Sequence, residues 1–308
     1  MPKQPSTPRI LQDLPQPSPL DNFMFAACFQ SIEAAPSAIS LINAVLLSSG
    51  REPLEVVDEL TCEQVLLGEG RKLRGCKLDI SVREGSHYLN VEAQIRSMQH
   101  MADRMAFNLN RLLSHKTPSG ADYKDIPSIT VISLMDFIYR KNHPDYHQPF
   151  GLFYEKDPER VYSKFDYHMV EIPKFRMHKF DPTDPLHRWL FYLDSGYMEP
   201  DSPKVKEVLE MDEGLHQFAQ TYQRNVSDPD TLFAYYGYLM ELADERNRIE
   251  TARIEALEEG EAKGEAKGLA KAISAMNALR KGHSIADVME ISELSRAEVE
   301  SLAKSLEI

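Results

Sequence analysis

The sequence has few cysteines, and their spacing does not form a redox or metal motif. Cys28, Cys62 and Cys76 are an odd number with no C-x-x-C spacing, which argues against a disulfide framework and against a cysteine zinc site. We expect them to be small buried hydrophobic residues. The histidines show no recognisable metal-ligand spacing either. The cysteine pattern therefore argues against thiol redox chemistry as the function of the protein.

The sequence also has no long apolar run and has fewer basic than acidic residues. No stretch reaches the 18 consecutive apolar residues of a spanning helix, and the start, MPKQPSTPRI, lacks the basic-then-apolar plan of a signal peptide. We therefore expect a cytoplasmic protein with no membrane segment. The net charge of −13 argues against non-specific coating of nucleic acid, because phosphate binding needs a positive surface. A local basic patch is still compatible with this total.

The chain is long enough for one large or two ordinary globular domains, with 308 residues of which 42% are hydrophobic. Residues 1–20 are rich in proline and poor in large apolar side chains, which predicts a disordered leader. Shifts of composition then divide the rest into a globular domain at 21–240, a charged helical connector at 241–280 and a two-helix module at 281–308.

The C-terminal region predicts a long charged helix followed by two short ones. Glycines at 260, 264 and 268 share one side of the long helix, so this helix is marginal unless another element packs closely on it. A charged connector in solvent is the alternative. The last two helices carry acidic residues that suit a DNA recognition helix poorly. We expect them to support a homo-oligomer.

The most informative stretch is a predicted β-hairpin, KLDISVREGSHYLNVEAQIR, at residues 77–96. Apolar and polar residues alternate strictly in both halves, so each strand has an apolar face and a polar face. Gly85 and Ser86 form a two-residue turn with glycine first, which is the preference of a type II′ turn. This turn fixes the register, because it pairs residues whose numbers sum to 171.

The register brings two carboxylates together on the polar face. Asp79 lies opposite Glu92 with their Cβ atoms about 5 Å apart, a like-charge arrangement that normally destabilises a strand pair. A divalent cation compensates for it, because Mg²⁺ prefers one or two carboxylates together with waters and phosphate oxygens. In the alternative, the two acids splay apart on a solvated face, where Lys77 and Arg96 neutralise them.

The next segment, residues 98–116, has helical periodicity and a basic side. One stripe is apolar, and the other contains His100, Arg104, Asn108, Arg111 and His115. Over residues 71–116 nine lysines and arginines outnumber four acidic residues, which reverses the sign of the whole chain. A cationic stripe beside a carboxylate pair suits a phosphodiester. An ordinary solvated helix face is the alternative.

Together these pieces resemble the Rpn family of recombination-promoting nucleases and transposases, within the PD-(D/E)xK nuclease superfamily. The resemblance is carried by NFMFAACF at 22–29, LDI and VEAQ in the hairpin, Arg104, GADY at 120–123 before SITVISLMDF, and the tail EGEAKGEAKG. It implies an α/β, restriction-endonuclease-like fold in which helices flank a mixed sheet and a helical tail follows. It also implies cleavage of DNA that depends on Mg²⁺ or another divalent cation, a link to recombination or transposition, and a bacterial origin.

The resemblance assigns roles to the residues of the hairpin. It makes Asp79 and Glu92 the metal ligands, and it puts Gln94 at the position of the superfamily's lysine. Glutamine cannot supply the positive charge of a lysine. The predicted register offers a local substitute, because it places Lys77 opposite Gln94 on the same face.

We therefore expect a metal-dependent DNA endonuclease, in which a metal-bound water attacks the phosphorus and Gln94 orients that water. The residues expected to engage phosphates are Lys77, Arg96, Arg104 and Arg111. The rival interpretation is a catalytically degenerate member that acts as a protein-interaction module through its C-terminal helices. A hairpin face covered by another segment favours that rival. A three-carboxylate transposase site is disfavoured, because the pattern places no third acid.

Overall fold

The structure is a computed structural model that describes residues 16–30, 32–66, 76–95, 100–154 and 157–307. At residues 62–66, 76–79, 153–154 and 157–163 the description is limited to the backbone. The chain divides into two compact units, residues 1–236 and residues 237–308.

The first unit is built around a six-stranded mixed sheet. Its strands are β1 (Glu59–Leu66), β2 (Cys76–Glu84), β3 (His87–Gln94), β4 (Ser128–Met135), β5 (His147–Tyr154) and β6 (Asp157–Glu171). They lie in the order β1-β2-β3-β4-β6-β5. Strands β3, β4 and β6 are parallel, whereas β1, β2 and β5 pair antiparallel with their neighbours. Because β4 is covered on both faces, it reads in the sequence as the continuous apolar run that predicted it.

Seven helices of this unit lie among the described residues. They are α1 (Asn22–Cys28), α2 (Ala35–Ser48), α3 (Met101–Lys116), α4 (Ile172–Phe175), α5 (Pro185–Asp194), α6 (Pro203–Glu210) and α7 (Glu213–Ser227). Side chains of Asp21, Asp184, Ser202 and Asp212 cap the starts of α1, α5, α6 and α7 by accepting from first-turn N–H groups. In the described part, no single helix has the length and apolar composition to cross a membrane, although the bent pair Asn22–Cys28 and Ile32–Ser48 meets that test jointly.

The larger hydrophobic core lies on one face of the sheet, under α1, α2, α5 and α7. It contains the predicted apolar face of the hairpin, including Ile80 and Val91. Trp189, predicted as the anchor of a helix that begins near Pro185, is fully buried there, and its Nε1 donates to Ser40 Oγ at 2.9 Å. The hairpin is therefore fixed from one side by most of the helices of the unit.

Helix α3 covers the opposite face of the sheet. It connects the parallel neighbours β3 and β4, so the chain must cross back over the sheet between them. A second core cluster forms beneath it, to which Met101 and Leu112 of α3 and Val131 and Met169 of the sheet belong. The two faces thus have separate cores, and α3 sits over the strand that carries Glu92.

The predicted leader, residues 1–20, lies mostly outside the described residues. Its last residues belong to the folded unit, because Leu20 is buried in the larger core and Tyr222 Oη donates to Pro17 O. The folded domain consequently begins before residue 21.

The second unit contains most of one long helix and two short ones, namely α8 (Pro229–Arg280), α9 (Ile285–Ser292) and α10 (Arg296–Ser305). Helix α8 begins before the predicted connector, and α9 and α10 start at capping boxes on Ser284 and Ser295. Residues of all three helices share one small core, including Ala275, Val288 and Val299. The C-terminal module therefore has three helical walls, because the last turns of α8 supply one of them.

Candidate active site

The hairpin has the predicted turn and register. Gly85 has a φ of +54°, a conformation that glycine adopts without strain at the first position of a type II′ turn. Strands β2 and β3 pair from Ile80 with Val91 to Glu84 with His87, so the paired numbers sum to 171. Alternation and turn chemistry were sufficient to place these two strands.

Three of the predicted site residues are described only by their backbone or not at all. Asp79 and Lys77 belong to β2, but their side chains lie outside the described part of the chain. The described pairs of β2 with β3 begin at Ile80 with Val91, so the pairing of Asp79 with Glu92 and of Lys77 with Gln94 stays a prediction. Arg96 lies outside the described residues altogether.

The polar face of β3 lies beneath α3 instead of facing solvent. Asn90 is fully buried, Glu92 is 2% exposed and Gln94 is 7% exposed. The alternative in which the acids splay apart on a solvated face is therefore wrong for Glu92. The crossover between the parallel strands β3 and β4 is the physical reason, since its helix must pack on one face of the sheet.

Two side-chain amides hold Glu92. Asn90 Nδ2 donates to Glu92 Oε1 at 3.0 Å, and Asn108 Nδ2 donates to the same oxygen at 3.0 Å. Asn90 lies two residues earlier on the same face of β3, whereas Asn108 lies on α3. The helix is thus bonded directly to the carboxylate that it covers.

Asn108 lies on the side of α3 that faces the sheet. It is buried, seven residues after the buried Met101 and four before the buried Leu112. Arg104 and Arg111, four residues before it and three after it, are partly buried next to it, so the predicted basic stripe runs along the edge of the sheet-facing side. The alternative of an ordinary solvated helix face does not hold for Asn108.

The buried polar side chains of β3 are continued on the same face by Ser133 of β4 and Tyr167 of β6, and we call this set the polar row. The sequence patterns did not predict this extension. Ser133 pairs in register with Glu92, is fully buried, and its hydroxyl hydrogen-bonds that of Tyr167. Burial and the negative charge of Glu92 raise the pKa of Tyr167, whereas the hydrogen bond to Ser133 and the positive charge of Arg104 lower it. Glu92, Tyr167 and Arg104 are therefore in electrostatic contact. A serine within the apolar run of β4 was the available signal.

Basic side chains lie along α3, as predicted. Arg104 and Arg111 are partly exposed. Partial burial, followed by the positive charges of Lys116 and Arg111, holds the pKa of His115 below its ordinary value. Lys116 Nζ lies 5.1 Å from the ring centroid of Tyr88. The last turns of α3 therefore concentrate positive charge near Tyr88, at the end of β3 that is opposite to Gln94.

The donor types fit a hard divalent cation. Mg²⁺ takes carboxylate and carbonyl oxygens and keeps several waters. Glu92 offers one carboxylate, and Asp79 would add a second if the predicted register holds. Asn90 Oδ1 is a buried acceptor with no hydrogen-bond partner, as expected next to a site that holds water or an ion. No group of three or more His, Cys, Asp or Glu residues in the described part is arranged to hold a metal, so the assignment depends on Asp79.

Comparison with known protein families adds a separate finding. A family model described as PD-(D/E)XK nuclease family transposase matches residues 19–252, more than half of the chain. The matched region contains the hairpin, α3, β4 and Tyr167. No curated protein and no solved structure matches the chain.

Proposed function

Because the chain belongs to the PD-(D/E)XK nuclease family transposases, we propose that it is a metal-dependent DNA endonuclease. The observation that carries the proposal is the buried Glu92, which accepts from two amides on a strand where the predicted register sets Asp79 opposite it. A buried carboxylate is costly unless it is compensated. A cation shared with Asp79 is one compensation, and it is the one that this family uses for hydrolysis.

Four polar residues of the hairpin have defined roles in the proposed reaction. Asp79 and Glu92 hold the divalent cation, and Gln94 hydrogen-bonds and orients the attacking water. Lys77, opposite Gln94, supplies the positive charge that glutamine lacks. The bound cation lowers the pKa of water and offsets charge on the phosphate in the transition state.

Positive side chains position the DNA backbone. Arg104 lies on α3 close enough to interact electrostatically with Tyr167 in the polar row, and Arg111 lies two turns further along the same helix. We assign these two residues and Arg96 to phosphate contacts, which orient DNA without reading its sequence. The net charge of −13 then keeps the rest of the surface from binding DNA non-specifically. We place the reaction in the bacterial cytoplasm, in recombination or transposition.

We further propose that a second copy of the chain docks on α8. Residues 241–262 carry eight acidic and three basic residues, whereas residues 263–281 carry five basic residues and one acidic residue. Antiparallel pairing sets each acidic stretch against the partner's basic stretch. Leu257 and Leu269 of α8 are exposed on the single chain. Light scattering should give a homo-oligomer that Leu257→Glu weakens, and a monomeric wild type would contradict this.

One assay tests the nuclease directly. Purified full-length protein is incubated with supercoiled plasmid in Mg²⁺, in Mn²⁺ and in a chelator, and the nicked and linear products are measured. We expect cleavage with either cation and none in the chelator. Glu92→Gln, purified in the same way, controls for contaminating nuclease. Equal cleavage by wild type and variant would contradict the proposed site.

A second candidate function rests on the burial of the same residue. Glu92 is 2% exposed and covered by α3, an arrangement that also suits a degenerate member with a purely structural acid. Such a protein would act as an interaction module through its C-terminal helices. Calorimetric titration with Mg²⁺ and Mn²⁺ discriminates between the two. Saturable binding that Glu92→Gln abolishes supports the nuclease, whereas no binding by a folded oligomer supports the module.

A further inference from the structure

We propose that Asn90 and Asn108 form an amide clamp that fixes the Glu92 carboxylate for cation binding, and that Asn90 Oδ1 accepts a hydrogen bond from water that hydrates the cation. This inference rests on the proposed function, and it adds two positioning residues to the site. Neither asparagine was assigned a role by the sequence.

The clamp acts on a torsion that is otherwise loose. The last torsion of a glutamate side chain has a broad distribution, so an unrestrained carboxylate turns easily. Asn90 and Asn108 donate to the same oxygen, Oε1, each at 3.0 Å. One donor comes from β3 and the other from α3, so the two bonds reach the oxygen from independent backbone segments. Together they hold the carboxylate in one orientation before a cation arrives.

The orientation of the Asn90 amide follows from the same contact. Turning the amide over would place Oδ1 against the Glu92 carboxylate oxygen, where two acceptors repel each other. Nδ2 therefore faces Glu92, and Oδ1 is left as a fully buried acceptor with no hydrogen-bond partner. Such an atom costs about 1–3 kcal/mol unless a donor reaches it. Water in the shell of a bound cation is a donor of the required kind.

Stability alone does not account for an asparagine at position 108. Met101 and Leu112, on the same side of α3, are apolar and pack in the second core cluster, whereas Arg104 and Arg111 lie on the other flank of Asn108. A leucine at position 108 would continue that row and would also favour the helix more than asparagine does. A polar residue in such a row is explained by what it holds, and Asn108 holds Glu92.

The test compares two identical substitutions on one helix. Asn108→Leu removes a donor to Glu92 and keeps an apolar packing surface. Asn110→Leu is the matched control, because the Asn110 side chain is exposed and bonds only locally, to Ala106 O. For both variants and the wild type, the dissociation constant of Mn²⁺ is measured calorimetrically on the full chain. The free energy of unfolding is measured without metal.

We expect Asn108→Leu to raise the dissociation constant about 10- to 100-fold, the usual effect of losing a residue that orients a metal ligand. Its unfolding free energy without metal should fall, because the buried Glu92 carboxylate loses one donor, so cation affinity is compared only under conditions where both proteins are fully folded. The turnover number for plasmid cleavage should fall while the KM for DNA is unchanged, because phosphate contacts are not affected. Asn110→Leu should leave all of these values unchanged.

Asn90→Val provides a second and independent measurement. Valine suits the strand, removes the other donor and removes the buried Oδ1, so the dissociation constant should again rise. Wild-type cation affinity in Asn108→Leu, or in Asn90→Val should Asn108→Leu not fold, overturns the clamp. A wild type that neither binds Mn²⁺ nor cuts DNA overturns the proposed function instead, so the two failures are distinguishable.

Discussion

Two buried glutamates lie near the carboxyl ends of β3 and β6, the two parallel strands on either side of β4, and their partners differ. Glu171, at the end of β6, is fully buried and ion-paired with the buried Lys174. Its Oε1 accepts from the backbone N–H groups of Tyr139 and Arg140, at 2.6 and 2.8 Å. Its Oε2 accepts from Gln148 Nε2 at 2.9 Å. Glu171 thus ties the segment after β4 to the edge of the sheet.

Glu92, in contrast, is held by neutral side-chain amides, one of which belongs to the helix above it. A carboxylate that is bonded to a lysine, to main-chain donors and to a glutamine is compensated by the fold itself. The two amides orient the Glu92 carboxylate without supplying a positive charge. Burial alone therefore does not separate a structural acid from a functional one.

Removal of the lysine partner tests the structural side of this comparison. Lys174→Met leaves the buried Glu171 without its cation, and we expect the free energy of unfolding to fall by about 3–5 kcal/mol. Lys179→Met, at an exposed position of the same segment, should leave it unchanged. Chemical denaturation of both variants measures the difference. A loss below about 1 kcal/mol would show that Glu171 is not dependent on its ion pair.

Removal of the charge from Glu92 tests the functional side. Glu92→Gln keeps an oxygen that accepts from Asn90 and Asn108, so the unfolding free energy should change little. Cleavage should fall by about 10³-fold, because the cation loses several kcal/mol of stabilising interaction with the transition state. Glu59→Gln, an exposed acid on β1 that pairs with Arg83, is the matched control. A large loss of stability in Glu92→Gln would place Glu92 in the same class as Glu171.

The charge opposite Gln94 sharpens the functional assignment. Lys77→Met should lower the cleavage rate by about 10²-fold if its cation stabilises the transition state. Gln94→Lys in the same chain should restore part of that rate, because the predicted register sets both positions side by side on one face of the hairpin. Rates of the two variants and the wild type at one Mg²⁺ concentration decide the matter. An unchanged rate in Lys77→Met would remove Lys77 from the mechanism.

Acid titration probes the fold without touching the site. His147 Nε2 lies 3.0 Å from His168 Nδ1, and burial, followed by the proximity of His168, lowers the pKa of His147 to about 3. An unfolded histidine takes up its proton near pH 6.5, whereas the folded His147 stays neutral down to about pH 3. The contribution of His147 to the free energy of unfolding is therefore fully present above pH 6.5 and is lost as the pH falls toward 3. We expect a loss of about 1–2 kcal/mol between pH 6.5 and 5.

The substitution His147→Gln should flatten this pH dependence, whereas His143→Gln, at an exposed position, should not. Part of the slope should remain in His147→Gln, because burial also lowers the pKa of His87. Thermal melting at several pH values measures the slope. A pH dependence identical in wild type and His147→Gln would assign the titration to other groups.

Local patterns predicted the part of the site that lies within one hairpin. Alternation and the Gly85 turn gave the register of β2 and β3, and the apolar run after Pro127 gave β4. The family resemblance assigned Asp79 and Glu92 as ligands, and this role stays a prediction for both residues. These successes depend on contacts between residues close together in sequence.

The remainder of the site depends on contacts that no local pattern encodes. Tyr167 reaches the row because β6 pairs parallel with β4, a pairing set by the packing of whole elements. Asn108 faces the sheet because α3 crosses over β3, and the helical pattern placed it in the basic stripe without showing that its amide donates to Glu92. In both cases the position of the side chain is set by contacts with another element and not by the residues next to it in the sequence. Sequence patterns therefore predicted the strands and missed the donors that surround Glu92.

The order of the elements along the chain has consequences for synthesis and refolding. The segment from β2 to β4 is contiguous, at residues 76–135, so Glu92 and Asn108 meet through short-range contacts that form quickly. The opposite face of the same strands is covered by α1 and α2, which precede the hairpin in the chain, and by α5 and α7, which begin at residues 185 and 213. A nascent chain therefore has only the first part of this cover when the hairpin forms. Aggregation through the apolar surface that still waits for α5 and α7, rather than assembly of the acidic site, should limit the yield of refolded protein.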